Sequence, residues 1–166
     1  MDQLWAPWRL DYIKVSQHKR SSGCFLCIGW QARRDRDNLV VYRGDSTLVV
    51  LNRFPYNNGH LLIAPAAHKG EWAELTDQEM LELMQVTRLM IRTLDKVLKP
   101  DGYNVGLNLG RVAGAGLPDH IHWHVVPRWN GDTNFMPVVA DTKVIVQSLD
   151  ALYELVTAEL GREGGS

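Results

Sequence analysis

The stretch DHIHWHVVPRW, residues 119–129, decides how this chain is read, because His120, His122 and His124 alternate strictly with the apolar Ile121, Trp123 and Val125. Alternation with period two marks a half-buried strand, so the spacing predicts a strand over 120–127 with all three imidazoles on one face. Same-face neighbours on a strand are held ~7 Å apart. Histidine can be nucleophile, general acid or base, and metal ligand near neutral pH. Three of the chain's six histidines fall within five residues. That concentration favours a reactive row over a strand face that is merely polar.

Outward from this strand, residues 38–50 (NLVVYRGDSTLVV) give two β-rich runs around Gly44-Asp45, a hairpin signal. A third run, His60 to Ala64, follows the turn-rich residues 55–59. Thr76 and Glu79 stand at capping-box spacing, and Met80, Leu83, Met84, Met90, Ile91, Leu94 and Val97 then recur at helical spacing until Pro100-Asp101-Gly102. The methionine-rich stripe reads as core. Tyr103 to Leu109 reads as a fourth strand, His120 to Pro127 as a fifth, and Val146 to Glu159 as a last amphipathic helix. The expected fold class is α+β: one domain, an antiparallel β-meander sheet packed with helices. Residues 1–20 are expected to form an N-terminal arm, 21–160 the domain, and 161–166 a disordered end. Trp5, Pro7 and Trp8 make the arm too apolar to stand free in water, so it is expected to dock on its own domain or a second subunit.

At 166 residues and 45% apolar, the chain can bury one sizeable core. Its 18 basic and 19 acidic residues leave a net charge of −1. That provides no field for polymeric nucleic acid or an anionic membrane, whereas a small anionic ligand needs only local charge. No apolar run approaches ~18 residues, and the start MDQLWAPWRL carries an acid and lacks a signal-peptide core, so a cytoplasmic protein is expected. The two cysteines form one C-x-x-C unit, Cys24 and Cys27 in GCFLCIGW. Such a unit is half of a structural zinc site, a reduced thiol pair, or a redox motif; the thioredoxin-like βαβ context that favours the last is missing from the pattern.

HIHWHVV resembles the signature of the histidine triad superfamily of nucleotidyl hydrolases and transferases. VVLNRFPYNNGHLLIAPAAH resembles that family's nucleotide-binding strand pair, and NLGRVAGAGLPDH resembles the loop leading into its triad strand. LWAPWRLDYI and PRWNGDTNFMPV resemble the prokaryotic branch that includes diadenosine tetraphosphate phosphorylases, so the resemblance runs in order over most of residues 4–155.

The resemblance implies an enzyme cleaving dinucleoside polyphosphates at the α-phosphate, by phosphorolysis or hydrolysis. His122 is then the nucleophile, because a neutral imidazole nitrogen attacks phosphorus well and divides one displacement into two easier steps. His124 and Asn108 correspond to phosphate contacts, and Gly114 and Gly116 to a backbone cradle for the anion. Preorganised donors at such oxygens supply about 3–4 kcal/mol each to the transition state. Asn52 corresponds to the ribose-binding position and His60 to an additional histidine near the site. In zinc-containing relatives the cysteine pair is completed by histidines that map onto His68 and His120, which implies a structural zinc on Cys24, Cys27, His68 and His120. A homodimer is also implied, and the uncovered sheet edge of a meander points the same way. One departure stands out: related hydrolases carry a polar glutamine where this chain has Gly116, which leaves room for a phosphate ion beside the nucleophile. Alternatives are a nucleoside phosphoramidase, an adenylyl-conjugate hydrolase, or a non-catalytic nucleotide-binding module; the intact His122 speaks against the last.

Overall fold

The computed structural model describes residues 23–132 and 145–163; the expected arm at 1–20 and the chain beyond residue 163 lie outside the described residues. A short helix, α1 (Phe25–Ala32), comes first. The hairpin read around Gly44-Asp45 forms as β1 (Val40–Arg43) and β2 (Thr47–Leu51), followed by β3 (Leu61–Pro65). The long helix α2 (Asp77–Leu98) leads to β4 (Gly102–Leu107), β5 (Trp123–Arg128) and the last helix, α3 (Leu149–Glu163). The strands make one antiparallel sheet in the order β1-β2-β3-β5-β4. The meander thus holds over β1 to β3. After α2 the chain goes to the far edge as β4, and β5 returns between β4 and β3.

Alternation sorts the sheet's side chains onto two faces. Val49, Leu51, Leu61, Ile63, Ile121, Trp123 and Val125 meet Leu83, Met90 and Leu94 of α2 and Leu152 and Val156 of α3 in the main core. Leu48, Val50, Leu62 and Ala64 form a second cluster with Leu26 of α1. Leu62 pairs directly with His124 across the ladder, so the polar residues of DHIHWHVV share the α1 face. The capping box forms as spaced: the Glu79 N–H donates to Thr76 Oγ1 at 3.2 Å, and the Thr76 N–H donates to Glu79 Oε2 at 2.7 Å.

Several boundaries differ from the sequence reading and one helix is new; β4 ends at Leu107 rather than Leu109, and the last helix starts at Leu149 rather than Val146. The fifth strand starts at Trp123 rather than His120, because the Ile121 N–H leaves the ladder to donate to the Lys69 carbonyl at 2.7 Å. α1 was not expected, since two cysteines and Gly29 weaken its pattern; the Arg43 guanidinium caps its end, donating to the Gly29 and Trp30 carbonyls at 2.6 and 3.0 Å. The last helix extends to Glu163, so residues 161–163 of the expected disordered end are helical. Leu160 packs on the main core there, and Glu159 pairs with Lys96 of α2 at 3.1 Å. Among the described residues no helix is long and apolar enough to cross a membrane.

Gly59 fixes the turn before β3. Its φ is +77°, and a Cβ there would stand 2.6 Å from Leu98 Cδ1 and 2.9 Å from the rigid Pro127 ring. Gly59→Ala is therefore expected to cost about 1–3 kcal/mol. At about 2–4 °C per kcal/mol for a chain of this size, calorimetry should show Tm lowered by roughly 2–12 °C. An unchanged Tm would mean that the turn relaxes freely.

Candidate functional site

His120, His122 and His124 are held by different partners, and each partner dictates a different chemistry. The His122 ring donates from Nδ1 to the His120 carbonyl at 2.8 Å. A carbonyl can only accept, so the proton sits on Nδ1 and Nε2 keeps its lone pair. Burial pushes the His122 pKa below the ordinary histidine value, against the raising effect of that bond. The ring is therefore neutral at pH 7, with Nε2 as its nucleophilic atom.

His124 is set the opposite way. His60 Nδ1 accepts the Tyr56 main-chain N–H at 2.9 Å and faces Asn52 Nδ2 at 3.2 Å. Asn52 Oδ1 in turn accepts the Phe54 N–H at 2.9 Å, which fixes its amide with Nδ2 toward His60. A ring nitrogen facing two donors must carry a lone pair, so the His60 proton lies on Nε2 and points at His124 Nδ1, 2.9 Å away. His124 then bears its own proton on Nε2. The His122 and His124 rings lie 5.1 Å apart, so a lone pair and an N–H donor stand side by side.

Cys24, Cys27, His68 and His120 converge beside this pair. Their ligand atoms all lie within 4.8 Å of one another, with Cys24 Sγ 3.2 Å and Cys27 Sγ 3.6 Å from His120 Nδ1, and Cys27 Sγ 3.3 Å from His68 Nδ1. Tetrahedral zinc with bonds near 2.3 Å to sulfur and 2.05 Å to nitrogen needs an S···N edge of about 3.6 Å, so the cluster fits the ion. The other ring nitrogen of His120 donates to the Pro65 carbonyl at 2.8 Å, the outer contact that orients a metal-ligating imidazole. Burial and the adjoining Cys24 thiol push the Cys27 pKa up to about 11, so without a cation that thiol stays protonated. His68 is carried by a loop that an ion pair anchors, Lys69 Nζ lying 2.7 Å from Glu79 at the start of α2.

The remaining expected residues divide. Asn52 and His60 join the histidine network directly. Asn108 follows the end of β4, next to the Leu107–Trp123 pair and close to the lead into β5. Gly114, at φ +93°, donates its amide to the Arg111 carbonyl at 3.0 Å, and the Ala115 amide donates to the Gly110 carbonyl at 3.2 Å. The turn itself uses those donors, and the cradle role of Gly114, like that of Gly116, is a proposal. Arg53 is held by the Asp37 carbonyl, and Arg128 by Asp132 and Asn104. Sequence reasoning missed Tyr56 and the Pro65 carbonyl, and the family resemblance implied a backbone carbonyl on His122 without saying which, because main-chain donors and acceptors leave no trace in residue identity.

Residues 33–131 match the family model of the HIT domain. The chain is 40% identical over 168 residues to the AP-4-A phosphorylase of Mycobacterium tuberculosis, covering 98% of this chain and 86% of that protein. It is 30% identical over 93 residues to the asymmetrical bis(5'-nucleosyl)-tetraphosphatase of Schizosaccharomyces pombe, covering 56% and 50% of the two chains. Among solved structures, a zinc-bound histidine triad family protein from Mycobacterium smegmatis superposes with a TM-score of 0.68 at 23% identity, over 86% of this chain and 96% of that one.

Proposed function

The chain belongs to the HIT domain family, and from that premise we propose that it cleaves dinucleoside polyphosphates such as diadenosine tetraphosphate through a covalent nucleotidyl-histidine on His122. The observation that carries the reading is the bond from His122 Nδ1 to the His120 carbonyl, which leaves Nε2 as a neutral nucleophile. Nε2 attacks the α-phosphorus and the bond to the bridging oxygen breaks. His124 Nε2–H donates to the departing oxygen, and phosphate or water then displaces the nucleotide from His122. Asn52 is the proposed ribose contact, Asn108, Gly114 and Gly116 the proposed phosphate contacts. The 40% identity to a named AP-4-A phosphorylase supports this substrate class.

Incubating the protein with diadenosine tetraphosphate, with and without inorganic phosphate, tests the reaction directly. ADP plus ATP in the presence of phosphate is the expected outcome, and AMP plus ATP alone would assign asymmetric hydrolysis. Release of neither product set would remove the dinucleoside polyphosphate from the reading and favour a phosphoramidate or adenylyl conjugate.

The proposed metal is a structural zinc on Cys24, Cys27, His68 and His120, whose set leaves no ligand position for substrate. Zinc there would deprotonate both thiols and tie α1, the His68 loop and the lead into β5 together. The reading takes the cytoplasm as the protein's setting, which free Cys24 and Cys27 thiols suit.

The last part of the proposal is a homodimer. Among the described residues β4 is an edge strand with exposed Asn104, Val105 and Gly106, Val105 being 46% exposed. An edge strand beside apolar surface invites pairing with a second copy. Sedimentation equilibrium should give about twice the 18.8 kDa chain mass at micromolar protein, and Val105→Lys should shift it toward the monomer. A monomer for the unaltered chain would refute the dimer.

A further inference from the structure

Tyr56 touches both members of the His60–His124 pair, and its ring belongs to none of the roles assigned above. Its main-chain N–H donates to His60 Nδ1 at 2.9 Å. Its ring lies 5.5 Å from the His124 ring at an interplanar angle of 17°, a stacked arrangement, and 4.6 Å from the His60 ring. The side chain stays 44% exposed, so it has not been drawn in to fill the core. We propose that Tyr56 is a positioning residue: its amide fixes the His60 tautomer and its ring fixes the plane of His124, so that His124 presents Nε2–H to the substrate.

If the His124 ring flips by half a turn, a carbon replaces Nδ1 opposite His60 Nε2–H, and the 2.9 Å bond is lost. The bond therefore selects one ring orientation. The near-parallel Tyr56 face adds a restraint on its plane, since offset stacking of rings holds their planes together. An amide N–H cannot lose its proton near neutral pH, so the order of protons from Tyr56 through His60 to His124 has a fixed origin. His122 takes the opposite tautomer from a carbonyl. Two histidines two residues apart are thus given complementary tasks by main-chain groups, with Tyr56 supplying the one for His124.

The inference rests on the proposed reaction for its consequence and on the ring network for its geometry, so the test reads both. Nitrogen-15 spectra of histidine-labelled protein without substrate should show His124 with a protonated Nε2 and an unprotonated Nδ1. Tyr56→Phe should keep that pattern and kcat within about twofold, since the stack and the amide both remain. Tyr56→Ala, and Tyr56→Leu as a bulkier substitute if the alanine variant folds poorly, keep the amide and lose only the stack, so the His124 ring should flip out of the His60 bond and its two nitrogen signals should average. They should also lower kcat at least about tenfold, with KM changed less than about threefold, because misorientation of an acting group costs turnover rather than binding. Unaltered His124 signals in both Tyr56→Ala and Tyr56→Leu would overturn the proposal, as would a Tyr56→Phe variant damaged as much as they are. An unaltered protein inert toward diadenosine tetraphosphate sinks the substrate reading alone, because the spectra still report whether Tyr56 holds His124.

Discussion

His122→Asn should lower turnover of diadenosine tetraphosphate by at least about 10⁴-fold, because it removes the one nitrogen that the site presents as a lone pair. Asparagine retains a polar group of similar reach, and the network of Asn52, His60 and His124 does not pass through the His122 ring. Nucleotide affinity should therefore stay within about threefold by calorimetry, which separates loss of chemistry from loss of binding. Mass spectrometry of the unaltered protein quenched during turnover should find one nucleotidyl group, and the variant none. A variant that kept kcat within about tenfold of the parent would end the case for a covalent role.

The second large effect concerns the metal. Protein expressed with ample zinc should carry about one ion per chain, and Cys24→Ser should lose it. A ligand bound at about a thousand times its Kd stabilises the fold by about 4 kcal/mol. At about 2–4 °C per kcal/mol, Cys24→Ser should melt roughly 8–16 °C lower. Turnover should fall as well, since His120 both closes the metal cluster and supplies the carbonyl that holds His122. Elemental analysis settles the point: a metal-free protein after such expression, with the same melting temperature before and after chelation, would leave the four residues as a thiol and imidazole cluster without an ion.

Much of this molecule was legible in the chain because its signals are periodic. The alternation in DHIHWHVV specified a strand with Ile121, Trp123 and Val125 toward the core, and those three enter it, although the strand starts at Trp123 and holds only His124 of the three histidines. The capping box at Thr76 and the apolar stripe behind it specified α2, whose observed span is Asp77–Leu98. The turn-rich residues 55–59 announced a bend before the third run, and Gly59 there sits at φ +77°. What pattern could not give was the place of the triad strand within the sheet. Strand order depends on which edges meet after α2 has crossed, and nothing local in residues 102–128 says that β5 enters between β3 and β4.

The sequence by itself determined the fold class and the row of three histidines, since hydrophobic period and residue chemistry are properties of the chain, while the resemblance to the histidine triad family supplied His68 and His120 as partners of Cys24 and Cys27. The division of labour within the row was decided only by tertiary structure. Three histidines alike in sequence became a buried ring bonded to the Pro65 carbonyl, a ring held by the His120 carbonyl with its lone pair on Nε2, and a donor set through Tyr56 and His60. The physical reason is that an imidazole's tautomer follows whatever main-chain group faces it, and which group that is depends on segments up to 68 residues apart meeting in space, as His124 meets Tyr56.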